Sequence, residues 1–135
     1  MCLSKLDKYS AWAPLLLRLA LGVVFIAHGA SKLFGGIAGT TQFFAGLGIP
    51  LPGIAAWVVA LVEFFGGIAL VIGLFTRYAG LLLSVNMLVA LFTAHFKDGA
   101  FTGGYELVIV LIAGSLALML RGAGKLAIDN KIKIG

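Results

Sequence analysis

Four long apolar runs, separated by short polar or glycine-rich breaks, make up most of this chain. They cover about Trp12 to Phe34, Ile54 to Phe75, Tyr78 to Phe96 and Gly104 to Leu120. Each is close to the ~20 residues with which an α-helix crosses the hydrocarbon of a bilayer. None alternates apolar and polar positions as a membrane β-strand must. The pattern predicts an all-α integral membrane protein, a four-transmembrane-helix bundle forming one domain over residues 1–135. The break between the second and third runs is so short that those two helices must be antiparallel neighbours.

The first break on the opposite side, Gly35 to Gly53, is long and carries no charge. Thr40 and Thr41 are placed to cap a short helix that runs through Leu47 and ends at Gly48. Pro50 and Pro52 then force an extended approach to the second span. This predicts a short interfacial helix or lid in the first outer loop. A greasy surface loop is the alternative.

Composition agrees with a lipid solvent: 61% of residues are hydrophobic and 11% charged, and mean hydropathy is +1.13. The net charge of +5 would suggest nucleic acid in a soluble protein. Here Lys5, Lys8, Arg77, Arg121, Lys125, Lys131 and Lys133 flank the apolar runs on one side, while Lys32 and Lys97 flank them on the other. That bias places the N and C termini in the cytoplasm and makes the partner a lipid bilayer, with no nucleic acid. Cys2 is the single cysteine, so no internal disulfide or CxxC pair can form. The first run has no small-residue cleavage site and reads as a membrane helix, not a cleaved signal.

Polar residues inside the spans carry the functional information, because an ionisable group in hydrocarbon is costly unless paired or watered. Arg18, Gly22, Phe25, Gly29 and Lys32 share one face of the first span, with His28 at its edge. Glu63 lies near the middle of the second span. Helical rise puts Arg18 and Glu63 about 7 Å apart in depth, within reach of a pair. Arg18 snorkelling to the interface is the other reading. His28, His95 and Glu106 fall at similar depth, with Lys32 slightly further out, and could form a polar pocket. No HxxH or ExxH spacing accompanies them, and no metal is expected. Asn86 is mid-membrane in the third span, where an inter-helix hydrogen bond is its simplest role. Gly66, Gly67, Gly73, Ala113 and Ala117 suit close helix packing.

Several stretches resemble the DoxX family of small four-span bacterial membrane proteins: RLALGVVFIAHGASKLFG, the GLGIP turn, VEFFGGIALVIGLFTRYAGLLL, GYELVIVLI and GAGKLAID. The resemblance covers nearly the whole chain. It implies the bacterial inner membrane and a redox-linked context, since the family is related to the membrane subunit of archaeal thiosulfate:quinone oxidoreductase. It marks Arg18, His28, Gly29 and Lys32 as a span-one signature, Glu63, Gly66 and Gly67 as a span-two signature, Arg77 as a cap on the turn, and Glu106 as the start of the last signature.

Three functional readings stay open. The first is a membrane quinone site, with Glu63 and His28 as catalytic proton carriers and Arg18, Lys32, Asn86, His95 and Glu106 as ligand-binding residues. Electrons would come from a redox protein partner, because the chain has no haem, flavin or iron–sulfur signature. The second is a non-catalytic scaffold that docks soluble redox proteins on its basic tail, RGAGKLAIDNKIKIG. The third is a small transporter or proton pathway, built from a homo-oligomer.

Overall fold

The computed structural model describes residues 2–95 and 105–133, the side chains of Cys2 and His95 excepted. Lys97 and the expected ends of the third and fourth runs at 96 and 104 lie outside the described residues. A 3-10 helical lead-in, Cys2–Trp12, runs into α1, Ala13–Ser31, and α1 passes through a π-helical turn, Lys32–Gly36, into α2, Ile37–Gly46. The long helices α3, Pro52–Ile72, and α4, Thr76–Ala90, follow, with α4 extended by a π-helical turn, Leu91–His95. Then come α5, Glu106–Arg121, and a short α6, Ile128–Ile132. There is no strand among the described residues. Three stretches there, Leu3–Gly46, Pro52–Ile72 and Thr76–Ala94, are long and apolar enough to cross a membrane.

Local chemistry sets the ends of these helices. Phe34 (ψ 43°) and Gly35 (φ 132°) break the helical path between α1 and α2. The short helix starts at Ile37, with Gly36 at its N-cap, and ends at Gly46, not Leu47. Thr40 is therefore no cap. It lies inside the helix, and its hydroxyl donates back to the Gly36 carbonyl at 2.8 Å. α3 begins two residues before the expected Ile54 because Pro52 occupies its first turn, where a missing N–H costs nothing. It stops at Gly73, whose φ of 71° suits a residue without Cβ.

Small residues set the register of the bundle. A Cβ on Gly67 would lie 2.7 Å from the Ile26 nitrogen of α1, and one on Gly22 would lie 2.8 Å from the Gly67 carbonyl. The α1 and α3 backbones therefore touch, as glycine permits. Gly80 lets α4 approach α5 in the same way: a Cβ there would lie 2.6 Å from the Ser115 carbonyl. Leu21, Phe25, Leu70, Leu83 and Leu118 fill the centre and are at most 5% exposed.

The α1–α3 register corrects the expected Arg18–Glu63 pair. With Gly22 against Gly67 and Val71, the Arg18 guanidinium reaches Gly73 at the end of α3. Glu63 is ten residues back along α3, or about 15 Å. Arg18 does not meet Glu63. It is fully buried and donates from Nη2 to the carbonyls of Lys125 (2.9 Å) and Leu126 (3.1 Å).

Those carbonyls belong to the segment after α5, which the sequence presented as a basic docking tail. Through Asn130 it is folded onto the bundle. The Asp129 carboxylate accepts from the backbone N–H groups of Phe75 (2.6 Å) and Thr76 (2.9 Å), capping α4. The Asp129 N–H donates to the Gly73 carbonyl at 2.9 Å, and the Lys125 N–H donates to the Ala11 carbonyl at 3.2 Å. The Asp129 charge also attracts the Arg18 guanidinium. The lead-in before α1 and the segment after α5 thus meet at one end of the bundle, the latch end. Arg77 works there too. Its Nη1 donates to the carbonyls of Met119 (2.8 Å) and Leu120 (2.7 Å), so it caps the end of α5 instead of its own turn.

Candidate functional site

At the other end, polar side chains from three helices converge. Lys32 sits where α1 gives way to the π-helical turn, Glu63 in mid-α3 and Asn86 on α4. Glu63 is 3% exposed. Its Oε2 accepts from Lys32 Nζ at 2.5 Å, and its Oε1 accepts from Asn86 Nδ2 at 3.2 Å. A carboxylate this deep is costly to ionise alone, and a cation with a second donor offsets much of that cost. Lys32 also donates to the His28 carbonyl at 3.4 Å. The Asn86 inter-helix bond expected from sequence is therefore a bond to the carboxylate itself.

His28 contributes a defined tautomer. Its Nδ1 lies 2.9 Å from the Val24 carbonyl. A carbonyl can only accept, so Nδ1 carries the proton and Nε2 of the neutral ring is left as an acceptor.

These groups form part of the wall of a cavity of about 520 Å³. That is the size of a small-molecule site, about 300–1,000 Å³. Phe25 comes from α1, Thr40, Phe43 and Phe44 from α2, Val59 from α3, Met87 and Thr93 from α4 and its extension, and Leu107 and Leu111 from α5. The polar residues among the described lining are His28, Lys32, Glu63 and Asn86 with Thr40 and Thr93, and the rest is apolar or glycine. Below it, the buried Phe25 and the leucine core separate the cavity from the latch end.

Of the seven residues proposed from sequence, the structure brings Glu63, His28, Lys32 and Asn86 to this cavity. Arg18 lies about 21 Å from Lys32 along α1 and serves the latch. Glu106 is exposed in the first turn of α5 and is not among the lining residues. His95 ends the π-helical turn after α4, and its side chain lies outside the described residues. Sequence reasoning missed Phe43 and Phe44. Their signal was adjacent aromatics in an uncharged segment long enough to fold over the bundle.

The DoxX family model matches residues 13–96, from the start of α1 through the extension of α4. The chain belongs to the DoxX family. Among its relatives, a Bacillus subtilis (strain 168) protein named "Putative oxidoreductase CatD" is 40% identical over 115 residues, covering 85% of this chain and 83% of that protein. Inner membrane protein YphA of Escherichia coli (strain K12) is 33% identical over 133 residues, 91% of this chain and 94% of its own. Inner membrane protein YqjF of the same organism is 32% identical over 118 residues, 86% and 88% of the two chains. No solved structure matches. This DoxX chain is therefore a helical membrane protein, and the matched stretch contains Lys32 and Glu63, the two charged residues among the described lining of the cavity.

Proposed function

We propose that this DoxX protein is a quinone-linked redox component of the bacterial inner membrane. In this reading α1, α3, α4 and α5 each cross the bilayer, both termini are cytoplasmic, and α2 is a lid over the cavity on the outer face. The observation that carries it is the buried Glu63 carboxylate, paired to Lys32 and Asn86 at the wall of an apolar cavity.

The residues present fit a quinone. A flat ring with an apolar tail matches a pocket lined by Phe25, Phe43, Phe44, Met87 and Leu111. A ring oxygen needs a donor, and Lys32 has one: of its three N–H groups, one goes to Glu63 and one to His28. A bound quinone supplies a two-electron, two-proton acceptor, with its electrons drawn from a redox protein partner. The chain's own residues orient that oxygen through Lys32 and hold protons at the Glu63 carboxylate and His28 Nε2. Phe25 and the leucines beneath it exclude water from the cytoplasmic side. The same apolar layer argues against a transmembrane proton path.

Lipid analysis of the protein purified in mild detergent tests this reading. Quinone should be enriched over the source membrane in the wild type and lost in Glu63→Gln. No enrichment in the wild type would overturn it. Fusion reporters of sidedness placed after residue 133 and in the 47–51 loop should report opposite sides of the membrane.

A further inference from the structure

The charge balance of the cavity wall specifies what can enter. We infer that the Lys32–Glu63 pair is a charge filter. The cavity admits neutral lipophilic molecules with a hydrogen-bond-accepting oxygen at one end, and it rejects amphiphiles of the same length with an ionised carboxylate or ammonium head. This rests on the reading of the cavity as a ligand site, and not on the ligand being a quinone.

The charges on the wall cancel. Among the described residues lining the cavity, Lys32 and Glu63 are the formally charged ones, and they form one ion pair with its atoms 2.5 Å apart. An anionic head drawn to Lys32 meets the Glu63 carboxylate beside it. A cationic head drawn to Glu63 meets the Lys32 ammonium. Neither gains a net partner, while both lose their hydration on entering an apolar pocket. The Arg18 charge cannot help, because it is about 21 Å away along α1 and already bound to Lys125 and Leu126.

A neutral oxygen meets a different balance. The third Lys32 N–H and the second Asn86 Nδ2 N–H are not used in the bonds to Glu63 and His28. His28 Nε2 adds an acceptor for a hydroxyl proton. Carbonyl and alcohol heads can therefore replace their water bonds at this wall without bringing in a charge.

Native mass spectrometry of the full chain in mild detergent at pH 8, with dodecanol, dodecanoate and dodecylammonium as matched probes, tests the filter. The wild type should bind dodecanol at least about tenfold more tightly than either ion. Glu63→Gln leaves the lysine uncompensated and should narrow the alcohol-to-carboxylate preference by about tenfold or more. Lys32→Met, useful if the first variant does not fold, should still reject dodecanoate and should admit dodecylammonium. Wild type that binds dodecanoate as well as dodecanol overturns the inference, and so do folded variants that keep wild-type ratios. Selectivity without co-purifying quinone removes the quinone reading and leaves the filter. Co-purifying quinone without selectivity does the reverse.

Discussion

The two ends of the bundle each bury charge and hold it in opposite ways, with the Arg18 Nε and Nη1 atoms buried without a hydrogen-bond partner. At the latch end Arg18 is bonded to main-chain carbonyls, and Asp129 to main-chain N–H groups. At the cavity end Glu63 is bonded to two side chains, Lys32 and Asn86. Main-chain partners are fixed by the fold, so the latch has one arrangement and ties three parts of the chain together. Side-chain partners can turn to a new neighbour, and Lys32 retains 21% side-chain exposure. Buried charge is held by the main chain at one end and by side chains at the other.

The sharpest way to break this contrast is Asp129→Ala. It removes both caps on α4 and the carboxylate that attracts Arg18, leaving a buried guanidinium uncompensated. A loss of about 3–5 kcal/mol is expected, read as a shift in reversible unfolding in mixed micelles. A loss under about 1 kcal/mol would mean that the latch is not structural. Glu63→Gln should do the converse. It should lose only about 1–2 kcal/mol in the same assay, because Lys32 is already 21% exposed at the cavity wall, while quinone enrichment disappears. Asn86→Ala deletes one donor and should cost about 1 kcal/mol, with weakened retention of ligand in the purified protein. The smallest effect belongs to Arg77→Gln. Its guanidinium is exposed, and losing its bonds to the end of α5 should cost about 0.5–1 kcal/mol and leave ligand selectivity unchanged. A selectivity change in that variant would show that the two ends are coupled.

The helices were legible because lipid demands long apolar runs, and their boundaries moved where proline or glycine chemistry intervened and, at the start of α4, where Asp129 caps Phe75 and Thr76. Most of the polar part of the cavity wall was legible too: Glu63, Asn86, Lys32 and His28 each stood out as polar positions in apolar surroundings. The pairing was not. Depth counted from run boundaries put Arg18 near Glu63, but register depends on which glycines cross, and Gly22 against Gly67 places Arg18 beside Gly73. Asp129 was hidden for a different reason. In a basic flanking segment it reads as solvated, yet it is the only acidic residue after Glu106, and that isolation was the available signal. The adjacent Phe43 and Phe44 showed no polar contrast, so only the folded path of α2 reveals their place in the cavity.

The latch also sets an order of events during synthesis. When α1 and α3 have left the ribosome and can pack, the groups that hold Arg18 have not yet been made, because the Lys125 and Leu126 carbonyls and the Asp129 carboxylate follow α5. The nascent bundle therefore holds an unmatched cation at its base until translation has passed Asp129.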